Sequence, residues 1–166
     1  MKRSSERMLT THTGSLPRPQ ELVRWLLEEQ DHPGTNRPAL DAAVQLAVAD
    51  VVQKQIACGL DVINDGEQGR TDYTVHVKDR LTGFEGPSKV IIPGVIYSTS
   101  NFVEHPELVA DRIVQHARLV GRENVIAGVD CGFGTFAGRV QVDSKIVWMK
   151  LQSLSEGAKL ASRQLW

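Results

Sequence analysis

Three short segments of the sequence combine residue types that could bind or transform a small molecule. The first is His12-Thr13-Gly14-Ser15, in which backbone N–H groups and a hydroxyl could converge on a carboxylate or a phosphate. His12 adds a base or a metal ligand, although a turn with an ordinary loop histidine fits the same residues. The segment therefore indicates either an anion-binding loop or a plain turn.

The second segment, Asp65-Gly66-Glu67-Gln68-Gly69-Arg70, carries two carboxylates and an arginine. A carboxylate can hold an ammonium group and an arginine can hold a carboxylate, so this segment is suited to gripping an amino acid. A solvated turn whose charges pair with one another is the alternative interpretation.

The third segment, Asp130-Cys131-Gly132-Phe133-Gly134, places a cysteine just after a predicted strand, beside an acid and two glycines. Such a thiol is partly exposed and could act as a nucleophile or as a soft metal ligand. Most single cysteines are structural, however, and Cys58, before Gly59 at a helix end, is expected to pack in the core. The sequence contains no Cys-x-x-Cys, His-Glu-x-x-His or phosphate-loop lysine motif.

The hydrophobic pattern predicts alternating strands and helices that position these segments. The predicted strands cover residues 8–11, 60–64, 90–96 and 125–129, and the predicted helices cover 21–29, 39–57, 106–120 and a segment from about Ser144. Each strand ends in a polar, glycine-rich loop, and parallel α/β sheets and barrels place their chemistry at that end. The sequence therefore predicts an α/β fold with its functional loops at one edge.

Length and composition narrow the class of protein. The 166 residues, of which 41% are hydrophobic and 23% charged, fit a single globular domain over 1–166. The net charge of −1 argues against a nucleic-acid partner. We expect no membrane span and no secretory signal, and hence a cytoplasmic protein. A complete eight-stranded β/α barrel needs at least about 200 residues, so about four β/α units are expected.

Together, these segments and their neighbours resemble the cobalamin-independent methionine synthase family, meaning its C-terminal catalytic domain and its short single-domain relatives. This family belongs to the barrel superfamily that includes uroporphyrinogen decarboxylase. The resemblance covers nearly the whole chain on both sides of residues 87–89. It is carried by Thr11-His12-Thr13-Gly14-Ser15-Leu16-Pro17-Arg18-Pro19, by Gly59-Leu60-Asp61-Val62-Ile63-Asn64-Asp65-Gly66-Glu67-Gln68-Gly69-Arg70, by Ile92-Pro93-Gly94-Val95-Ile96, by Asn101-Phe102-Val103-Glu104-His105-Pro106-Glu107 and by Asp130-Cys131-Gly132-Phe133-Gly134.

The resemblance implies a partial (β/α)8 TIM-type barrel, built from the first two and the last two β/α units. The chain is then internally truncated near residues 86–90, with the join at Gly86-Pro87-Ser88-Lys89. Four units would leave two open sheet edges, which self-association as a homo-oligomer could cover.

The family transfers a methyl group from a methyl-folate donor to the thiol of homocysteine at a zinc ion, in methionine biosynthesis. Zinc lowers the pKa of a bound thiol and so presents a thiolate nucleophile. By position, Cys131 resembles the last zinc-ligating cysteine. Gly14 and Ser15 resemble the groups that hold the carboxylate of the amino acid, and Glu67 resembles the carboxylate that holds its ammonium. The resemblance assigns no further catalytic residue.

The sequence departs from the family pattern in its metal ligands. The remaining zinc ligands of the family are a His-x-Cys pair and a downstream Glu from the middle strands, and this sequence has no His-x-Cys. His12 is a candidate second ligand, whereas a catalytic zinc needs three protein ligands. Thr99 stands where methionine synthases have a histidine, and Tyr97 stands where an acidic residue is expected.

Three functional hypotheses follow. The first is a zinc-dependent methyltransferase acting on homocysteine or another small thiol. The second is a non-catalytic half-barrel that binds a small amino acid or self-associates. The third keeps the fold but changes the chemistry to that of a related decarboxylase or thiol lyase, because one fold can host several reactions.

Overall fold

The fold alternates short parallel strands with helices, which confirms the predicted α/β class. The computed structural model describes residues 3–32, 34, 37–70, 90–134, 138 and 141–166. Its strands are β1 (Leu9–Thr10), β2 (Gly94–Ile96) and β3 (Ile126–Val129), and its helices are α1 (Gln20–Asp31), α2 (Arg37–Ala57), α3 (Pro106–Val120) and α4 (Ser144–Leu165). No helix in these residues has the length and apolar character needed to cross a membrane.

The strands form a parallel sheet in the order β1-β3-β2. Strand β3 lies in the middle, and all four of its residues are buried, as expected for a parallel strand covered on both faces. Its register pairs Leu9 with Ile126 on one side and Ile96 with Val129 on the other. The amino-terminal and carboxy-terminal parts of the chain thus share one sheet.

The strand predicted over 60–64 is wrong in extent, because only Val62 pairs with β1, through a bridge to Thr11. The carbonyl of Thr10 accepts the backbone N–H groups of both Asp61 and Val62, so a regular ladder cannot continue. The buried side chain of Gln55 then takes the place of a neighbouring strand. Its amide donates to the Asn64 carbonyl at 2.8 Å and accepts from the Asn64 N–H at 3.2 Å.

Strand β2 is also shorter than the predicted 90–96, because Pro93 interrupts it as its sequence position suggested. Proline has no N–H to contribute, and the register shifts between Gly94 and Ile96. The carbonyl of Pro93 still accepts the N–H of Gly128 at 3.2 Å. The irregular strand therefore stays attached to β3.

Helices α3 and α4 pack closely against each other beside the sheet. A Cβ atom at Gly157 of α4 would lie 2.6 Å from Cβ of Val109 in α3, so only glycine permits this crossing. The main core joins both helices to the sheet, and its fully buried members include Val95, Ile96, Val109, Ile113, Val125, Ala127, Val147, Leu151 and Leu154. A smaller cluster joins α1 to α2 through Leu22, Leu26, Leu40 and Ala47.

A buried ion pair fastens the loop after β2 to α4. Glu104 and Lys150 are 1% and 0% exposed, and Nζ of Lys150 lies 2.8 Å from Oε2 of Glu104. Lys150 also donates to the Phe102 carbonyl, and the other carboxylate oxygen of Glu104 accepts the N–H of Tyr97 at 2.9 Å. Buried charges are tolerated only when they are paired and hydrogen-bonded in this way.

We predict that Lys150→Met lowers the free energy of unfolding by about 3–5 kcal/mol, because the Glu104 carboxylate would remain buried without its cation. Urea unfolding followed by circular dichroism measures this change. Lys159→Met, on the exposed side of the same helix, is the control and should change the value by less than about 0.5 kcal/mol. Equal effects of the two substitutions would contradict the prediction.

Candidate functional site

The loops that follow β1 and β3 meet at two glycines, Gly14 and Gly132. A Cβ atom on Gly14 would lie 2.7 Å from Cα of Gly132, and a Cβ atom on Gly132 would lie 2.3 Å from the nitrogen of Ser15. Gly14 also has a φ of +86°, which favours glycine. The absence of side chains at both positions therefore lets the two backbones touch.

Ser15 fastens the two loops at this contact. Its carbonyl accepts the N–H of Phe133 at 2.9 Å, and its hydroxyl oxygen accepts the N–H of Gly134 at 3.0 Å. The side chain is 1% exposed. The residue predicted to hold a substrate carboxylate thus joins the loops, and its role toward a ligand stays a prediction.

The loop after Val62 joins the same edge. The N–H of Leu16 donates to the Gly66 carbonyl at 2.9 Å, and the side-chain amide of Asn64 donates to the His12 carbonyl at 2.7 Å. Gly66 has a φ of +58°, and a Cβ atom there would lie 2.9 Å from Cβ of Leu16. All three segments singled out in the sequence therefore lie together at the carboxyl edge of the sheet.

Glu67 stands in a conformation that non-glycine residues rarely adopt, with a φ of +55°. Its N–H donates to the Asp65 side chain at 3.0 Å, which holds this turn. Its carboxylate pairs with Arg70 at 3.1 Å. The charges of this segment thus pair with one another, as the alternative interpretation expected, and the binding of an ammonium by Glu67 stays a prediction.

Arg18 connects the second and third loops, a role that the sequence reasoning missed. Its guanidinium donates to the Glu67 carbonyl at 2.9 Å and to the Gly134 carbonyl at 3.0 Å. Burial lowers the pKa of Arg18, and the negative charge of Glu67 partly offsets this effect. The only sequence signal for this role is an arginine between two prolines, directly after a glycine-rich loop.

His12 is buried beneath the edge rather than presented to solvent. Its Nε2 lies 2.8 Å from the Gly14 carbonyl, to which it donates, and its ring stacks on Phe133 with centroids 5.7 Å apart. The Nδ1 atom is buried and has no hydrogen-bond partner in the described parts of the chain. Burial lowers the pKa of His12 to about 4, so its ring is neutral near pH 7.

Cys131 carries an exposed free thiol, as predicted, while Cys58 is buried. In the part of the chain that the structure describes, no group of three His, Cys, Asp or Glu side chains lies close enough to hold a metal. His12 does not change this, because one ring nitrogen is hydrogen-bonded and the other is buried. These residues therefore do not fit a catalytic zinc.

The loop after β2 reaches the same edge through Asp130. Oδ1 of Asp130 accepts the N–H of Ser98 at 2.8 Å. Tyr97 stands where the family resemblance implies an acid, and it is 52% exposed. Cζ of the Arg112 guanidinium lies 4.8 Å from the centroid of the Tyr97 ring. Thr99 is exposed, and the predicted join at 86–89 lies outside the described residues.

A cavity of about 440 Å³ opens beside the loop contact. It lies between the β1 loop, the first turn of α1, the β3 loop and the start of α4. Its lining residues are Leu16, Pro17, Arg18, Gln20, Val23, Phe133, Gly134, Gly138, Val142, Asp143 and Ser144. Its volume falls in the range of small-molecule sites.

Loops gathered at the carboxyl edge of a parallel sheet, with a cavity beside them, are typical of α/β proteins that bind small molecules. The sequence is 35% identical over 75 residues to the 5-methyltetrahydropteroyltriglutamate–homocysteine methyltransferase of Aeromonas salmonicida. These residues are 45% of this chain and 10% of that protein. The resemblance to the cobalamin-independent methionine synthase family is thereby confirmed for this part of the chain.

A solved structure, that of a B12-independent methionine synthase from Shewanella sp. W3-18-1 in complex with selenomethionine, matches with a TM-score of 0.39 and 23% sequence identity. The match covers 45% of this chain and 20% of that one. No family model matches the chain. The chain thus spans only a small part of the length of the proteins to which it is similar.

We predict that acid weakens the fold through His12. The folded chain keeps this ring neutral down to a pH of about 4, whereas the unfolded chain protonates it near 6.5. The unfolded state therefore binds more protons between these values, and the unfolding free energy falls by about 3 kcal/mol as the pH drops through this window. The contribution is fully retained above pH 6.5.

His12→Gln keeps a side-chain N–H for the Gly14 carbonyl but cannot titrate, so its unfolding free energy should vary less between pH 6.5 and 4. Urea unfolding at several pH values measures the difference. His116→Gln, in α3, is the matched control for the loss of a histidine away from the loops. Parallel curves for His12→Gln and the wild type would refute the prediction.

We also predict that Gly14→Ala destabilises the chain more than Gly34→Ala. The φ angles are similar, +86° and +84°, so both alanines carry left-handed strain of about 1–2 kcal/mol. Of the two, the alanine at position 14 would collide with backbone, whereas no atom of the residues that the structure describes lies within 4 Å of a Cβ at position 34. Overpacking should add about 1–3 kcal/mol. Equal losses in thermal or urea unfolding would show that the contact with Gly132 is absent.

Proposed function

We propose that this chain provides an amino-acid binding edge of the methionine-synthase type, and that its family function is methyl transfer from a methyl-folate donor to the thiol of homocysteine or a similar thiol. The observation that carries this proposal is the convergence of the three loops, joined by the bonds from Phe133 and Gly134 to Ser15. In this proposal, Gly14 and Ser15 face the carboxylate of the substrate, Glu67 faces its ammonium, and Cys131 lies on the thiol side.

The contribution of the described residues is binding and orientation. Holding a thiol and a methyl donor in a fixed geometry lowers the entropy cost of the reaction between them. Because the described residues do not fit zinc, no step is assigned to that metal here. The edge is pre-formed by backbone hydrogen bonds, so a ligand would not have to order it.

The order of the strands supports the partial barrel. In a closed eight-stranded barrel the last strand pairs with the first, so the first two and last two strands would stand in the order 2-1-8-7. The chain has this arrangement, with Val62 beside β1, β1 beside β3, and β3 beside β2. Division into a single domain truncated near residues 86–90 follows from the same proposal.

The second candidate function is a non-catalytic half-barrel. It is favoured by apolar side chains at the two ends of the sheet, where Val62, Ile63 and Ile92 are 37%, 38% and 43% exposed. A homo-oligomer that pairs these edges would cover them. The two candidates share the amino-acid site and differ in whether methyl transfer takes place.

Isothermal titration of the purified chain with L-homocysteine tests the shared site. We expect saturable binding, weakened at least about tenfold by Glu67→Gln because a charged hydrogen bond is lost. Glu29→Gln, which breaks another Glu–Arg pair 3.6 Å apart, is the matched control and should leave the affinity unchanged. A lack of homocysteine binding by the folded wild-type chain would refute the shared amino-acid site.

A methyl-transfer assay with labelled methyl-folate and homocysteine, run with added zinc, then separates the two candidates. Product formation that is lost in Cys131→Ser and kept in Cys58→Ala supports the enzyme. Binding without product, together with a dimer in light scattering, supports the half-barrel.

A further inference from the structure

Among the described residues that line the cavity beside the loop contact, one is cationic and most of the others are apolar. Leu16, Val23, Phe133 and Val142 supply apolar surface, and Arg18 supplies the cation. None of the residues that the family resemblance assigns to the substrate lines this cavity. The cavity nevertheless adjoins them directly, because Gly134 lines it and binds the hydroxyl oxygen of Ser15.

Among the described residues, Arg18 forms no salt bridge, although the negative charges of Glu67 and Asp65 lie near enough to raise its pKa. Both hydrogen bonds of its guanidinium go to backbone carbonyls, and the carboxylates of Glu67 and Asp65 pair with Arg70 instead. Its Nε–H is buried and has no partner among the described residues. A half-buried cation of this kind is stabilised by an incoming anion, above all by a planar carboxylate.

The other charged group on the cavity wall is already engaged. Asp143 caps α4, and its carboxylate accepts the N–H of Lys145 at 2.8 Å. The hydroxyl oxygen of Ser15, the group first expected to meet a carboxylate, is an acceptor for Gly134 and is buried. Arg18 is therefore the group on this wall best placed to receive a carboxylate.

We propose that Arg18 binds the carboxylate of an amino acid with an apolar side chain, and that this side chain lies along Leu16 and Phe133 in the cavity. The inference rests on the proposed function, because it adds Arg18 to Gly14 and Ser15 as a group that faces the carboxylate of the amino-acid substrate. It adds a specificity-determining residue: the cavity selects for a carboxylate on an apolar body.

A ligand series tests this inference without altering the protein. L-methionine and 4-(methylthio)butanoate share the carboxylate and the thioether, whereas 3-(methylthio)propylamine lacks the carboxylate. In isothermal titration we expect the first two to bind and the amine to bind at least about tenfold more weakly than methionine. Equal affinity of the amine and methionine would overturn the inference.

Substitution of Arg18 gives an independent test. Arg18→Gln should weaken the binding of methionine at least about tenfold, and Arg18→Lys, which keeps the charge, should weaken it less. Arg24→Gln, on the exposed side of α1, should have no effect. Wild-type affinity in a folded Arg18→Gln variant would overturn the inference; if that variant does not fold, the ligand series decides.

Failure of this inference differs from failure of the proposed function. If homocysteine binds and depends on Glu67 while Arg18→Gln changes nothing, only the assignment of Arg18 is wrong. If neither homocysteine nor methionine binds to the folded chain, the proposed function and the inference both fail.

Discussion

The close approach of Gly14 and Gly132 is the constraint on which the rest of the site depends. Strands β1 and β3 come from opposite ends of the chain, and their loops can exchange hydrogen bonds only if neither loop has a side chain at the crossing. With both glycines in place, the backbones approach closely enough for Ser15 to accept two N–H groups of the opposite loop. Leu16, Asn64 and Gly66 then attach the remaining loop to this pair.

Most polar groups at the edge hold the loops together. Ser15, Asn64 and Asp130 each make a hydrogen bond to a backbone group of a neighbouring loop. The buried Glu104–Lys150 ion pair holds the segment after β2 against α4. Among the described residues of this edge, the exposed Cys131 thiol and the Arg18 guanidinium, which forms no salt bridge, keep capacity for a ligand.

Local sequence patterns predicted most of the helices, and they predicted where proline interrupts a strand. The helix predicted over 106–120 was correct at both ends, because Pro106 and Gly121 mark them. The interruption of β2 followed from Pro93. The strand predicted over 60–64 was wrong in extent because the buried side chain of Gln55 replaced a strand partner, and such a substitution leaves no periodic signal.

The site was predictable only in part. The sequence indicated its three loops, since each follows a strand and contains glycine, but not their contacts. Ser15 and Gly134 are 119 residues apart, and no local rule pairs them. Arg18 was overlooked because the prolines around it indicated only a rigid loop, whereas its partners, the carbonyls of Glu67 and Gly134, are distant in sequence.

The most direct test of the account is a nuclear Overhauser measurement on the isotope-labelled chain in solution. Strong cross-peaks between the Hα protons of Gly14 and those of Gly132 are expected, together with contacts between Leu9 and its register partner Ile126. A folded chain whose Gly14 protons show no cross-peak to Gly132 would contradict the convergence of the loops, and with it the site proposed at that edge.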